Sequence, residues 1–215
     1  SLFLNRGSTF QARPLPAQAQ FAPVFGINVA DFDGDGHEDL FLAQNFFASQ
    51  VETPRNDGGR GLLLRGDGKG GLLPMDGRAS GLRIYGEQRG SAVADFNQDG
   101  RPDLAVTQNG AATRLFQNQR AKPGLRIRAE AGPQNPYAIG AILQLQFEDG
   151  SKGPARLITA GSGYWSQDSP IHVLPIPKKP THILIQWPNN NITSSPINPT
   201  STDSLHVLSN GKIIE

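Results

Sequence analysis

The chain of 215 residues contains no cysteine, which excludes disulfides and thiolate metal sites. That absence does not fix the compartment, because many exported bacterial proteins also lack cysteine. No run of 18 apolar residues occurs, so no transmembrane helix is expected. Lys and Arg (20) nearly balance Asp and Glu (19), the net charge is +1, and no basic block stands out; nucleic acid is not an expected partner. Histidine is scarce, at positions 37, 172, 182 and 206, and no Gly-x-Ser-x-Gly elbow accompanies it. Gly (25) and Pro (17) together fill about a fifth of the chain and argue against long helices. What remains is a globular composition, 37% hydrophobic, with many short elements joined by tight turns.

The dominant feature is an internal repeat. "VADFDGDGHEDLFLAQN" (29–45) returns as "VADFNQDGRPDLAVTQN" (93–109). The alignment also pairs Gly26 with Gly90. A second repeated element is a short apolar run ending in a polar turn: "LFLNRG" (2–7), "LLLRGDG" (62–68) and "RLFQNQ" (114–119). The runs flanking each acidic loop are apolar-rich and bounded by Gly and Asp, which predicts strands. "FFASQVETPRNDGGRG" (46–61) has no counterpart in the second unit and reads as a surface insertion.

Each acidic loop spaces its oxygen donors alternately. In the first, Asp31, Asp33, Asp35 and Asp39 supply carboxylates, Gly34 and Gly36 let the backbone curl, and position seven, His37, offers its carbonyl. In the second, Asp95, Asn97, Asp99 and Asp103 hold the donor places, with the carbonyl of Arg101 at position seven. Oxygen-only ligands suit a hard cation with a flexible shell, and calcium fits better than magnesium or zinc. Two calcium sites are therefore expected, the second weaker because Asn97 is neutral. The two windows hold eight of the 19 acidic residues, which would repel one another without a cation. A solvated acidic turn is the plainer reading, and the recurrence of the same spacing with the same flanks argues against it. An EF-hand is rejected, because position twelve is Leu42 or Val106 rather than Glu.

These residues resemble the FG-GAP, or VCBS, repeats of integrin-like β-propellers, whose hallmark is a D-x-D-x-D-G-x-x-D-L calcium loop with an upstream Gly. "FGINVADFDGDGHEDLFLAQ" and "RGSAVADFNQDGRPDLAVTQ" carry the likeness, with Arg89 where the first unit has Phe25. It covers roughly residues 1–120 and implies blades of a propeller. A propeller has four to eight blades. Two and a half cannot close a ring, so the chain is expected to be the C-terminal piece of a longer protein, with open blade edges that invite self-association.

After "AKPG" (121–124) the repeat stops, and alternating runs separated by DG, GSG, PNN and NG turns predict a second all-β module, a sandwich or barrel, over 121–215. "NPYAIGA" (135–141), "GSGYWSQDSP" (161–170) and "IQWPNN" (185–190) resemble the ASPIC/UnbV module. "VLPIPKKP" (173–180) departs from the Gly-Leu-Gly-like stretch of that family, which has no defined activity to carry over.

Other motifs are weaker. Arg65-Gly66-Asp67 spells an integrin-ligand tripeptide but occupies the place of the ordinary turn "NRG" at 5–7. Gly66, Gly68 and Gly71 spell G-x-G-x-x-G, yet "LLPMDG" rather than a helix follows. Asn191-Ile192-Thr193 is a glycosylation sequon, relevant only in a eukaryotic secretory setting. Tyr164, Trp165 and Trp187 could stack on a sugar, although aromatics in a β module are more often core. The expected function is a calcium-stabilised, non-enzymatic scaffold for protein or glycan recognition: secreted, on the cell surface or periplasmic. An exported carbohydrate-active enzyme or accessory module and a lectin are the alternatives.

Overall fold

The structure is a computed structural model that describes residues 1–198 and 204–214. It is almost entirely β. β1 (Leu2–Asn5) and β2 (Phe10–Arg13) form a hairpin. β3 (Val24–Ala30), β4 (Asp39–Gln44), β5 (Leu62–Gly66) and β6 (Leu72–Pro74) form a four-stranded antiparallel meander. β7 (Glu87–Ala94), β8 (Asp103–Asn109) and β9 (Ala111–Phe116) form a three-stranded one. These sheets are the blades of a partial propeller. One helical turn, Gly77–Ser80, joins the two meanders; the Asp76 side chain caps it by accepting from the Arg78 backbone N–H.

The two meanders stack face to face. Phe41, Ala43 and Leu63 of the first bury against Leu104 and Val106 of the second, with Leu82 and Ile84 between. The other face of the first meander buries Leu42, Leu62 and Leu64 against Ala19. Both faces of β4 are thus covered, which is why its sequence is a nearly unbroken apolar run. Among the described residues no buried apolar cluster covers the far face of the second meander, where Leu115 of β9 is 58% exposed. The 46–61 insertion lies mostly at the surface, tied back by a bridge between Phe46 and Asn56.

Gly26 has a packing reason. A Cβ there would run into the Ser91 hydroxyl and lie 3.1 Å from the Arg89 carbonyl, where β3 approaches β7. Both strands carry a bulge at this height, at Val24/Gly26 and Gln88/Ser91.

From residue 125 onward the strands are β10 (Leu125–Glu130), β11 (Ile142–Phe147), β12 (Arg156–Leu157), β13 (Ile171–Leu174), β14 (Pro180–Gln186), β15 (Ile192–Pro196), β16 (Ser204–Leu208) and β17 (Ile213–Ile214). They make two four-stranded sheets, ordered β13-β10-β16-β17 and β12-β11-β14-β15, over one shared core. Leu125, Ile127, Leu143, Leu145, Ile183 and Ile185 fill it. Trp187 belongs to this core at 3% exposure, and its indole N–H donates to Thr193 Oγ1 (2.9 Å). β10 and β16 run parallel, unlike every other strand pair of the described residues.

Several side chains join these sheets to the blades. The Asp168 carboxylate accepts from Asn28 Nδ2 (3.0 Å) and from the Val93 backbone N–H (2.7 Å), so one residue ties down both inner strands. Arg156 pairs with Glu38 (2.5 Å) and donates to the Val29 carbonyl. Gly163 bridges to Gly26.

Candidate metal centre

Each acidic loop closes a strand–loop–strand corner. Asp39 faces Ala30 across the β3–β4 ladder, and Asp103 faces Ala94 across β7–β8. The end donors of the first loop are therefore fixed by the sheet before any cation is considered. Asp31 Oδ2 accepts from the Gly36 N–H (2.7 Å) and Oδ1 from the Gly34 N–H (2.7 Å). Asp39 accepts from the N–H groups of Phe32 (2.9 Å) and Gly66 (2.8 Å).

This arrangement brings Asp31, Asp33 and Asp39 together, each with a carboxylate oxygen within 4.8 Å of the others; among the described residues they form the one such acidic or histidine group. Asp31 and Asp39 are 6% and 1% exposed. Burial pushes both carboxyls up to about 6, and their acidic neighbours add to it; the backbone N–H groups pull the other way. Three oxygens at this spacing, two of them buried, suit a hard cation. Asp35 stands apart from the group. Its Oδ2 meets Arg65 Nη2 (3.0 Å), while Arg65 Nε reaches Asp33 (2.7 Å). Burial disfavours its ionisation, but Arg65 and the His37 N–H more than offset that and hold the Asp35 carboxyl below its usual range. His37 is exposed, and its ring lies over Gly68.

The second loop repeats the frame. Asp95 Oδ2 accepts from the Gly100 N–H (2.9 Å), and Asp103 accepts from Phe96 (3.2 Å) and Asn118 (2.7 Å). Its other groups point elsewhere. Asp99 takes the Asn97 amide (2.8 Å) and the Arg101 guanidinium (3.0 Å), and Arg101 Nε donates to the Ala121 carbonyl (2.7 Å). Burial raises the Asp103 carboxyl. Asp95 is met by Arg126 Nε of β10 at 2.9 Å. That contact is an ion pair without hydrogen-bond alignment, since the Nε–H finds no hydrogen-bond acceptor among the described residues.

Residues 121–124 run between the two loops. A Cβ on Gly34 (φ +76°) would lie 2.5 Å from the Lys122 nitrogen. A Cβ on Gly100 would lie 3.0 Å from the Gly124 carbonyl, and the Gly124 N–H donates to the Gly100 carbonyl (2.7 Å). Both loops are thus part of the seam with the C-terminal sheets. Sequence reasoning weighed Arg65 only as part of the Arg65-Gly66-Asp67 turn and passed over Arg126. The signal for Arg126 was the alternation in "LRIRAE", which puts Leu125, Ile127 and Ala129 into the core and Arg126 on the opposite side, where a solvated arginine is the usual expectation.

Residues 89–118 match the model of the FG-GAP repeat family, a span that runs from β7 through the second loop to the end of β9. No curated protein matches the chain. FG-GAP repeats are integrin-like extracellular modules that serve recognition or scaffolding rather than catalysis.

Proposed function

We propose that the chain is a calcium-braced, non-catalytic recognition scaffold that works outside the cytoplasm, secreted, on a cell surface or in a periplasm. The observation that carries this reading is the convergence of Asp31, Asp33 and Asp39 in one corner, with Asp31 and Asp39 buried and Asp33 met by the half-exposed Arg65. Asp35 and the His37 carbonyl complete the donor set that the spacing of the loop implies. Bound calcium supplies a compact positive charge that compensates these buried carboxylates. Because the unfolded chain lacks the corner, binding adds stability by mass action. Arg65 holds two of the same carboxylates while its side chain is 51% exposed, so it is free to swing into solvent when a cation enters.

The test is a thermal melt of the whole chain in calcium and in chelator. Calcium at about a hundred times its Kd should raise the Tm by about 5–10 °C. An unchanged Tm would remove the structural role of calcium.

The recognition half rests on the turn Tyr164–Trp165. The Ser162 N–H donates to the Ser166 carbonyl (3.0 Å) and closes the turn. Trp165 sits at its tip with φ +48° and is 92% exposed. Its ring stacks on Tyr164 (6.0 Å between centroids, 20° between planes), and Tyr164 meets Phe25 edge-on at 5.8 Å. A stacked, solvent-facing aromatic pair favours a ligand that stacks, a glycan or a protein side chain. A glycan array with the native chain and with Trp165→Ala decides for the glycan if signals vanish in the variant. The edge strand β9, whose residues Ala111–Leu115 are exposed, is the place where blades of neighbouring molecules would pair.

A further inference from the structure

We infer that the second acidic loop carries a cation of its own: the guanidinium of Arg126, reaching in from β10, stands where the first loop would take calcium. The chain then binds one calcium rather than two, and the second corner is the joint between the blade and the C-terminal sheets.

The frames of the two loops are alike, so the difference lies in what neutralises them. Asp31 and Asp95 each accept the N–H of the glycine five places on, and Asp39 and Asp103 each accept two backbone N–H groups. In the first loop four aspartates face one arginine, Arg65, on the surface. In the second, three face two, Arg101 and Arg126. The Arg126 and Asp95 side chains are only 10% and 1% exposed. A guanidinium never loses its charge under ordinary conditions, and a buried one must be paired.

Arg126 also has nowhere to retreat. β10 lies between two partners, with Arg126 opposite Val173 of β13 on one side and Ser204 of β16 on the other. The segment leading into β10 is pinned to the loop by the Gly124-to-Gly100 hydrogen bond and by Arg101 on Ala121. A calcium ion would have to displace a buried charge and leave it unpaired, a cost that an ion of modest affinity does not recover. Asn97 and Asp99 are occupied with each other and with Arg101, so the donor set does not converge as Asp31, Asp33 and Asp39 do.

The calcium count rests on the function proposed above; the Arg126–Asp95 joint does not. Calorimetric titration of the whole chain with calcium should give one site, lost in Asp33→Asn and kept in Asp99→Asn. Arg126→Met should add a second, weaker site, whereas Arg126→Lys, which keeps a cation, should stay at one. In chelator, Asp95→Asn and Arg126→Met should each lower the Tm by about 10 °C, and the double variant should lose no more than the worse single. Two calcium ions in the native chain, with the second lost in Asp99→Asn, would overturn the inference. So would additive losses in the double variant. No calcium binding at all would sink both the calcium-braced scaffold and the count of one site, while the thermal cycle would still decide the joint.

Discussion

Asp31 and Asp95 hold equivalent places in the two loops and accept the same kind of backbone N–H. In the first loop the positive charge comes from Arg65, which pairs with Asp33 and Asp35 and whose side chain is 51% exposed; in the second, Arg126, whose side chain is 10% exposed, pairs with Asp95 itself. Arg65 is a replaceable counter-ion, and Arg126 is built into a central strand. One loop motif can thus serve two ends. Where its neutralising charge is exposed, the corner suits a metal; where that charge is buried on another sheet, the corner holds two parts of the chain together.

The largest effect should come from breaking the second corner. Arg126→Met leaves Asp95 buried and unpaired, with an expected loss of about 3–5 kcal/mol in denaturant unfolding. Arg65→Gln should leave stability in chelator nearly unchanged and raise calcium affinity at the first loop, as read by titration. A large loss in Arg65→Gln would erase the contrast.

Next in size is the metal itself. Asp39→Asn should abolish the calcium-dependent rise in Tm of about 5–10 °C, whereas the matching Asp103→Asn should keep it, measured relative to its own melt in chelator.

Proton competition is the third effect. The Asp31 and Asp39 carboxyls stand at about 6 in the folded chain against an unperturbed 3.8. Between those values the folded state binds more protons than the unfolded one. Without calcium, the stability these two groups confer is greatest at low pH and falls as pH rises from about 4 to about 6. Calcium reverses the trend, because its ligands must be ionised. Its affinity should fall about tenfold or more between pH 6 and pH 5, and pH-dependent titrations check this.

The smallest effect concerns position four of each loop. Gly34 has φ +76° and Gln98 φ +63°, so both backbones are left-handed. Gly34→Ala meets that strain and the Lys122 backbone together, and should cost about 1–2 kcal/mol or more. Gln98→Gly relieves strain but gains chain entropy in the unfolded state, and should stay within about 0.5 kcal/mol of native. Urea melts of the two variants distinguish the sites.

Much of the blade architecture was legible because it repeats. The aligned identities placed both loops between strands, and β4 and β8 start at the aspartates that end each loop. The carboxylate spacing marked the first corner, where Asp31, Asp33 and Asp39 do converge. What escaped was anything set by contact between distant segments. β15 is too polar, as "ITSSP", to announce a strand, and it forms by pairing with β14. Parallel pairing of β10 with β16 joins residues nearly 80 apart, beyond any local pattern. Trp165 and Trp187 look alike in sequence, yet one is 92% exposed on a turn and the other is 3% exposed in the core. Most consequential was Arg126, whose charge matters only because residues 121–124 fold back between the loops.

The decisive measurement is calcium stoichiometry by calorimetry on the whole chain, with Asp33→Asn and Asp99→Asn beside it. One site is expected, vanishing in Asp33→Asn and surviving in Asp99→Asn. Two sites, each lost with its own loop, would contradict the division of labour between the two corners.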